Sequence, residues 1–251
     1  MNELKHSAEF RSVLTDYKLS PSALAILRQA PLVLLVGPTS SGRNTIIDRL
    51  VETGDYYHIV SDTTRHIRDK NGKPIEKNGR EYWFRSDQDM LDGLRSGQYM
   101  EAAIIHHQQV SGCNINELVK ALTTKKIALK DIEPGGAHTI HGLKPDATII
   151  FIVPPSFEAW MQRLLGRGGI PAEELRRRLE SARQELTAAL ANDYYNFVIN
   201  EKINDAVNEV HAIAKSGQAN AVAQNRGRQL AKELKQATEK HLLTTKLNDG
   251  L

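Results

Sequence analysis

Residues 37 to 45 read GPTSSGRNT, two glycines with four residues between them followed by a basic side chain, an amide and a hydroxyl. The pattern G-x-x-x-x-G-K-[ST] holds a polyphosphate. Its glycines let backbone N–H groups face the phosphates, and the helix N-terminus adds partial positive charge. Lysine reaches the outer phosphates and the hydroxyl ligates Mg²⁺. Gly37 and Gly42 keep the spacing, with Pro38, Thr39, Ser40 and Ser41 between them. Arg43 and Asn44 stand where lysine and a hydroxyl are expected. Arg43 keeps the charge on a longer planar fork rather than a compact ammonium. Asn44 offers an amide oxygen, a weak ligand for Mg²⁺, and Thr45 projects from a different part of the helix. An ordinary strand-to-helix turn fits the same nine residues, so the flanking chain decides between the two.

The elements that must position this loop are legible. PLVLLVG (31–37) is a short continuous apolar run ending at glycine, the pattern of a strand buried on both faces of a parallel sheet, and Ile46, Ile47, Leu50 and Val51 mark a helix after the loop. KIALKDI (126–132), ATIIFIV (147–153) and Asn192 to Ile199 read as further strands of that sheet. Strands alternating with helices imply α/β architecture. Residues 56–110 differ, with short alternating stretches such as REYWF (80–84), turn signals at Asn71-Gly72 and Asn78-Gly79, and a helical patch near 87–96. They predict a small mixed insert. Residues 1–30 read as a helical preface, with Ser20 as N-cap before Pro21. Residues 156–190 are helical in pattern with a break at GRGG (166–169).

The chain has 251 residues, 40% hydrophobic and 25% charged, enough to bury a sizeable core. The net charge of +3 comes from 33 basic and 30 acidic residues, and residues 217–251 hold six of the former and three of the latter, leaving 27 of each upstream. The excess sits in an Ala/Gln/Lys-rich tail with a narrow apolar stripe of Leu230, Leu234 and Ala237, read as a solvated extension or a packing arm. Cys113 is the lone cysteine, so no disulfide forms within the chain. No apolar run reaches membrane-spanning length and the first thirty residues lack the compact apolar segment of a signal peptide, so a cytoplasmic protein is expected.

VSDTTRHIR (60–68), NGREYWF (78–84), DIEPGG (131–136), FIVPPS (151–156), LLGRGG (164–169), ELRRRLESARQEL (174–186) and FVINEKINDA (197–206) follow in the order found in guanylate kinases. From about residue 31 to residue 213 the chain resembles that family. The resemblance implies the P-loop NTPase fold, a three-layer α/β structure around a parallel sheet. It also implies an acceptor-binding mixed β insert at about 56–112 and a helical lid at about 163–183. Residues 1–30 and the basic helical tail 214–251 lie outside it.

Carried over residue by residue, the resemblance puts Ser61, Arg65, Arg68 and Tyr82 on the phosphate of GMP, where two guanidinium forks three residues apart suit a dianion. Ile67 replaces the family's proline, and DKNGKPIEKNG (69–79) lengthens the approach to Tyr82. Glu101 and Asp131 match the carboxylates that read guanine, whose N1–H and N2–H₂ are donors and suit groups that only accept. HHQQVSG (106–112) departs from the family's N-Y-Y-G-[TS], leaving Gln108, Gln109 or Ser111 for the lost tyrosine's task. Arg167 and Arg178 match the lid arginines that, with Arg43, would neutralise charge in phosphoryl transfer. Six arginines lie between 163 and 183, and a solvated helix balanced by Glu173, Glu174, Glu180 and Glu185 accounts for most of them. Asn200 matches a residue near the adenine of ATP.

The function implied is transfer of a phosphoryl group from Mg²⁺-ATP to GMP, giving GDP and ADP, with no membrane or nucleic-acid partner. Two alternatives stand beside it: a catalytically silent guanylate-kinase-like binding module, favoured by the altered loop, and a kinase for another phosphorylated small acceptor.

Overall fold

The computed structural model describes residues 5–105, 107–166 and 169–248. Two helices open the chain, α1 (Ser7–Thr15) and α2 (Pro21–Gln29), the second capped by Ser20, whose Oγ accepts from the Ala23 N–H at 3.2 Å. Then follow β1 (Leu32–Val36), α3 (Arg43–Glu52), β2 (Tyr56–His58), β3 (Asp62–Thr63), β4 (Asp69–Lys70), β5 (Lys73–Pro74) and β6 (Trp83–Phe84). The middle of the chain forms α4 (Asp87–Arg95), β7 (Tyr99–Ile105), β8 (Gln109–Asn114), α5 (Asn116–Thr123), β9 (Ile127–Asp131) and α6 (Pro134–Leu143). The rest is β10 (Thr148–Val153), α7 (Phe157–Leu165), α8 (Ala172–Ala191), β11 (Tyr195–Ile199), α9 (Ile203–Ser216) and α10 (Ala221–Asn248). A five-stranded sheet has the order β11-β10-β1-β9-β2, and a four-stranded mixed sheet the order β6-β3-β8-β7. The chain forms two compact units, one of Met1–Leu32, Asp55–Lys130 and His138–Pro145, the other of Val33–Gly54, Asp131–Ala137 and Asp146–Leu251.

In the first unit the four-stranded sheet is built on the antiparallel pair of β7 and β8, with β3 added antiparallel to β8 and parallel to β6. Phe10 of α1 is buried with Met90, Leu91 and Leu94 of α4 and with Tyr99 and Val110 of the sheet. The Tyr17 hydroxyl donates to Tyr99 O at 2.8 Å and accepts from Tyr99 N–H at 2.7 Å. The N-terminal helix therefore belongs to the core of this unit. Asn71 and Gly72, with φ of 56° and 74°, form the turn joining β4 to β5, as an Asn-Gly pair between short strands predicts.

In the second unit β1 is buried along its whole length and lies parallel to β10, which lies parallel to β11. Continuous burial explains the lack of alternation in LVLLV. The C-terminal segment is a packed helix: α10 lies on α8 and β11, burying Ala231, Leu234 and Thr238. A Cβ at Gly227 would come 2.6 Å from the Phe197 Cβ, so glycine lets the helix approach the strand closely. Gln224 then serves as a substitute strand. Its Oε1 accepts from Phe197 N–H at 2.8 Å and its Nε2 donates to Tyr195 O at 2.7 Å, filling the bonding positions of the outermost strand. Among the described residues no helix is long and apolar enough to cross a membrane.

Candidate active site

The loop between β1 and α3 is fixed by its carbonyls. Trp160 Nε1 donates to Thr39 O at 2.8 Å, and the Asn200 amide, buried, donates to Ser41 O at 2.7 Å, while Ser41 N–H closes a turn onto Pro38 O at 2.9 Å. Gly42 is the N-cap of α3 with φ 102°. A Cβ there would lie 2.1 Å from the Asn200 Nδ2, so neither the backbone conformation nor the space admits a side chain. Glycine also supplies no capping oxygen, which leaves the first-turn amides of α3 for a ligand. Ser41 is fully buried and its Oγ has no hydrogen-bond partner among the described residues. Gly37 follows β1, and Pro38, Thr39 and Ser40 complete the turn, Ser40 adopting φ 66°.

Beside the loop lies a cavity of about 540 Å³ lined by Ser40, Gly42, Thr45, Arg163, Asn200 and Glu201 among others. Arg163 donates to Asn200 O at 3.0 Å. Asn200 is thus pinned at its carbonyl while its amide pins the loop. Sequence reading places Asn200 here by resemblance alone. It misses Trp160 and Arg163, whose signal was only an aromatic and a base on a helix following FIVPPS.

The lid arginines divide. Arg178 lies on α8, half-buried, its Nε 2.8 Å from Glu174 Oε1, while Arg176 pairs with Glu180 and Arg177 with Glu174. Arg167 lies outside the described residues. Glu185 corrects the picture of a solvated, charge-balanced helix, because it is 7% exposed. It falls on the face that buries Leu179, Ala182, Leu186 and Ala189, one turn from two of them. Burial pushes its carboxyl up to about 7, assisted by the charge of Glu133, while Arg43 and the Ser181 hydroxyl, 3.1 Å away, pull it down. Arg43, half-buried at the start of α3, has this carboxyl among its electrostatic neighbours, whereas Asn44 is exposed. Asp131 ends β9 half-buried in the same unit.

In the first unit Ser61 precedes β3. Its carbonyl accepts from Trp83 N–H at 2.9 Å, and its Oγ accepts from Lys130 Nζ at 2.5 Å. The Arg65 guanidinium lies 5.1 Å from the centre of the Tyr82 ring and 5.5 Å from that of Phe84, an aromatic seat for a planar cation. Glu76 grips it from within the lengthened segment and also accepts from Arg68 N–H at 2.8 Å. The Arg68 side chain is exposed. Arg65 and Tyr82 are therefore brought together, and Glu76 is the neighbour that the sequence did not announce. Glu101, on β7, stands opposite Cys113 of β8. In HHQQVSG, Ser111 Oγ is 3.0 Å from Thr63 Oγ1, Gln108 is exposed and Gln109 is half-buried.

A glycine-capped helix start beneath a buried parallel strand, with a cavity beside it, defines a phosphate-loop nucleotide-binding protein of the α/β class. The guanylate kinase family model matches residues 29–216. A guanylate kinase of Corynebacterium diphtheriae is 36% identical over 184 residues, 72% of this chain and 93% of that relative. One of Corynebacterium glutamicum is 35% identical over the same shares. The crystal structure of guanylate kinase from Anaplasma phagocytophilum matches with a TM-score of 0.54 at 22% identity, covering 87% of this chain and 95% of that one, a likeness of fold. The chain belongs to the guanylate kinase family. The family match stops at residue 216, before α10 begins.

Proposed function

We propose that this protein transfers the γ-phosphoryl group of ATP to GMP, giving ADP and GDP. The observation that carries the reading is the loop at Gly37–Thr45, held by Trp160 and Asn200 and opening on the Arg163-lined cavity, in a chain of this family. In it the first-turn amides of α3 and the Arg43 guanidinium hold the donor phosphates, and the base and ribose occupy the cavity beside Asn200. Arg65, Arg68, Tyr82 and Ser61 receive the acceptor nucleotide, with Glu101 and Asp131 reading guanine. Arg178 and Arg167 neutralise the transferring group, for which positioning and charge supply most of the catalysis.

Among the described residues no cluster of three or more His, Cys, Asp or Glu could hold a metal ion. The Asn44 amide oxygen at the start of α3 is a weak oxygen ligand that fits a Mg²⁺ arriving on the phosphates of ATP, whereas Thr45 projects from a different part of the helix. When bound, that ion neutralises developing charge on the phosphates. The single cysteine, buried and unpaired, supports a cytoplasmic setting.

The test is release of ADP from Mg²⁺-ATP by the full chain with each nucleoside monophosphate in turn. Release with GMP and little with AMP is expected. A flat trace from folded protein at millimolar GMP would leave a silent binding module.

A further inference from the structure

The family match begins at residue 29, yet the segment before it is bonded to the start of β7. Ser20 N–H donates to Gly97 O at 3.0 Å. The Tyr17 hydroxyl donates to Tyr99 O at 2.8 Å and accepts from Tyr99 N–H at 2.7 Å. One hydroxyl thus satisfies both backbone groups of Tyr99, at the point where the register of β7 against β8 shifts and strand pairing is interrupted.

The side chain of the same residue reaches past a strand. Tyr99 Oη donates to Asp62 Oδ2 of β3 at 2.6 Å, although β8 lies between β7 and β3, and Asn114 is a further partner of this hydroxyl. Gly112 of β8, opposite both Asp62 and Ala102, permits the crossing: a Cβ there would come 3.0 Å from the Tyr99 Cδ1. A Cβ at Gly93 of α4 would come 2.7 Å from the Tyr99 Cε2. Neither glycine has a positive φ, so it is space for the ring that calls for them.

Asp62 is 1% exposed, and its Oδ1 lies 3.3 Å from Nε of the exposed Arg85. A buried carboxylate depends on each partner it has, because losing one leaves charge uncompensated. Asp62 follows Ser61 and precedes Thr63, whose Oγ1 accepts from Arg65 N–H at 3.3 Å. Displacing Asp62 therefore displaces the support of Arg65.

We propose that Tyr17 and Tyr99 are positioning residues of the acceptor unit, through which the N-terminal segment holds β3, and with it Ser61 and Arg65, in the place that receives the acceptor phosphate. The proposal rests on the GMP reading. It gives the segment before the family match a task in ligand binding beyond covering the core.

The experiment measures calorimetric binding of GMP and of ATP, together with amide hydrogen exchange, for the full chain and for Tyr17→Phe, Tyr99→Phe and the double variant. Each change removes one oxygen and keeps the ring. Tyr99→Phe should weaken GMP about tenfold and Tyr17→Phe about fivefold, with ATP within about twofold, as loss of a buried hydrogen bond does where a binding segment depends on it. Because the two residues act in series, the double variant binds GMP little worse than Tyr99→Phe. Without nucleotide, the Thr64 and Arg65 amides should exchange about tenfold faster in both variants relative to the amides of β10. A role in stability alone would lower the thermal midpoint and leave the GMP affinity of the folded variants at the wild-type value, which overturns the inference, as does equal weakening of GMP and ATP. A wild type that binds no GMP removes the GMP reading instead. The exchange rates then decide the positioning role by themselves, and unchanged rates overturn it.

Discussion

The Glu76 carboxylate holds the Arg65 guanidinium in a two-point grip, with Nη1 and Nη2 each 2.7 Å from one carboxylate oxygen. Both side chains are mostly buried, at 15% and 10% exposed, and the Arg65 hydrogen bond is the main cause that drops the Glu76 carboxyl to about 2, with the Arg68 N–H assisting. A carboxylate depressed in the folded state contributes stability that is present above its unfolded value, near 4.5, and lost as pH falls through the folded one. Glu76→Gln should therefore cost about 2 kcal/mol at pH 7 in urea denaturation, and its deficit against wild type should shrink between about pH 4.5 and pH 2. A deficit independent of pH over that window would show that the ion pair does not stabilise the fold.

Arg43 replaces the expected lysine at the first residue of α3. With the phosphoryl-transfer reading, Arg43→Ala should lower kcat/KM for ADP release about a hundredfold, as loss of a charged transition-state contact does. The double change Arg43→Lys with Asn44→Ser should raise turnover little, because the arginine loop already works. Wild-type activity unaffected by Arg43→Ala would remove this residue from the chemistry.

Glu185 titrates in the opposite sense to Glu76. Its carboxyl is raised by burial from 4.5 to about 7, so its contribution to stability is complete below about pH 4.5 and is lost as pH rises through 7. The charged groups it senses are Glu133 and Arg43. Glu185→Gln cannot ionise and should escape that loss, gaining on the order of 3 kcal/mol over wild type between pH 5 and pH 8 in urea midpoints. Parallel pH profiles for the two proteins would mean that Glu185 does not ionise in this range.

Gln224 supplies both a donor and an acceptor to β11. Gln224→Ala leaves the Phe197 N–H and the Tyr195 carbonyl without those partners and should cost about 2 kcal/mol in denaturation. Deleting residues 217–251 removes the helix that covers Phe197 as well and should cost more, visible as a lower thermal midpoint or loss of folded protein. Truncation without effect would show that α10 is dispensable to the fold.

β1, β9, β10 and β11 were legible because a buried run such as LVLLV has no other role, whereas β2, three residues parallel to β9, was read into the mixed insert; the loop was legible because glycine spacing constrains its backbone. The two helices before β1 announced themselves through Ser20-Pro21 and an apolar repeat. Other features were hidden in the sequence for physical reasons. The start of α6 at Pro134-Gly135-Gly136 carries no helix signal of its own, since glycine disfavours helices and tertiary context overrides that preference here. Glu185 looks like its neighbours Glu174 and Glu180, and only the position of α8 in the fold separates a buried carboxylate from solvated ones. Glu76 and Lys130 act on residues eleven and sixty-nine positions away, and contacts of that range are fixed by folding rather than by local pattern.

The amide of Gln224 on β11 also has a consequence for behaviour in a crowded solution. An open outer strand is a template on which another chain can add its own strand and begin a cross-β stack. By placing a side chain in those bonding positions, α10 makes the border of the sheet unreadable to a stranger. A protease cut in the short connection from Gly217 to Asn220 would put that guard at risk, because only noncovalent contacts would then retain the helix. The damage would spread beyond the nicked molecule, as an uncovered border recruits its like.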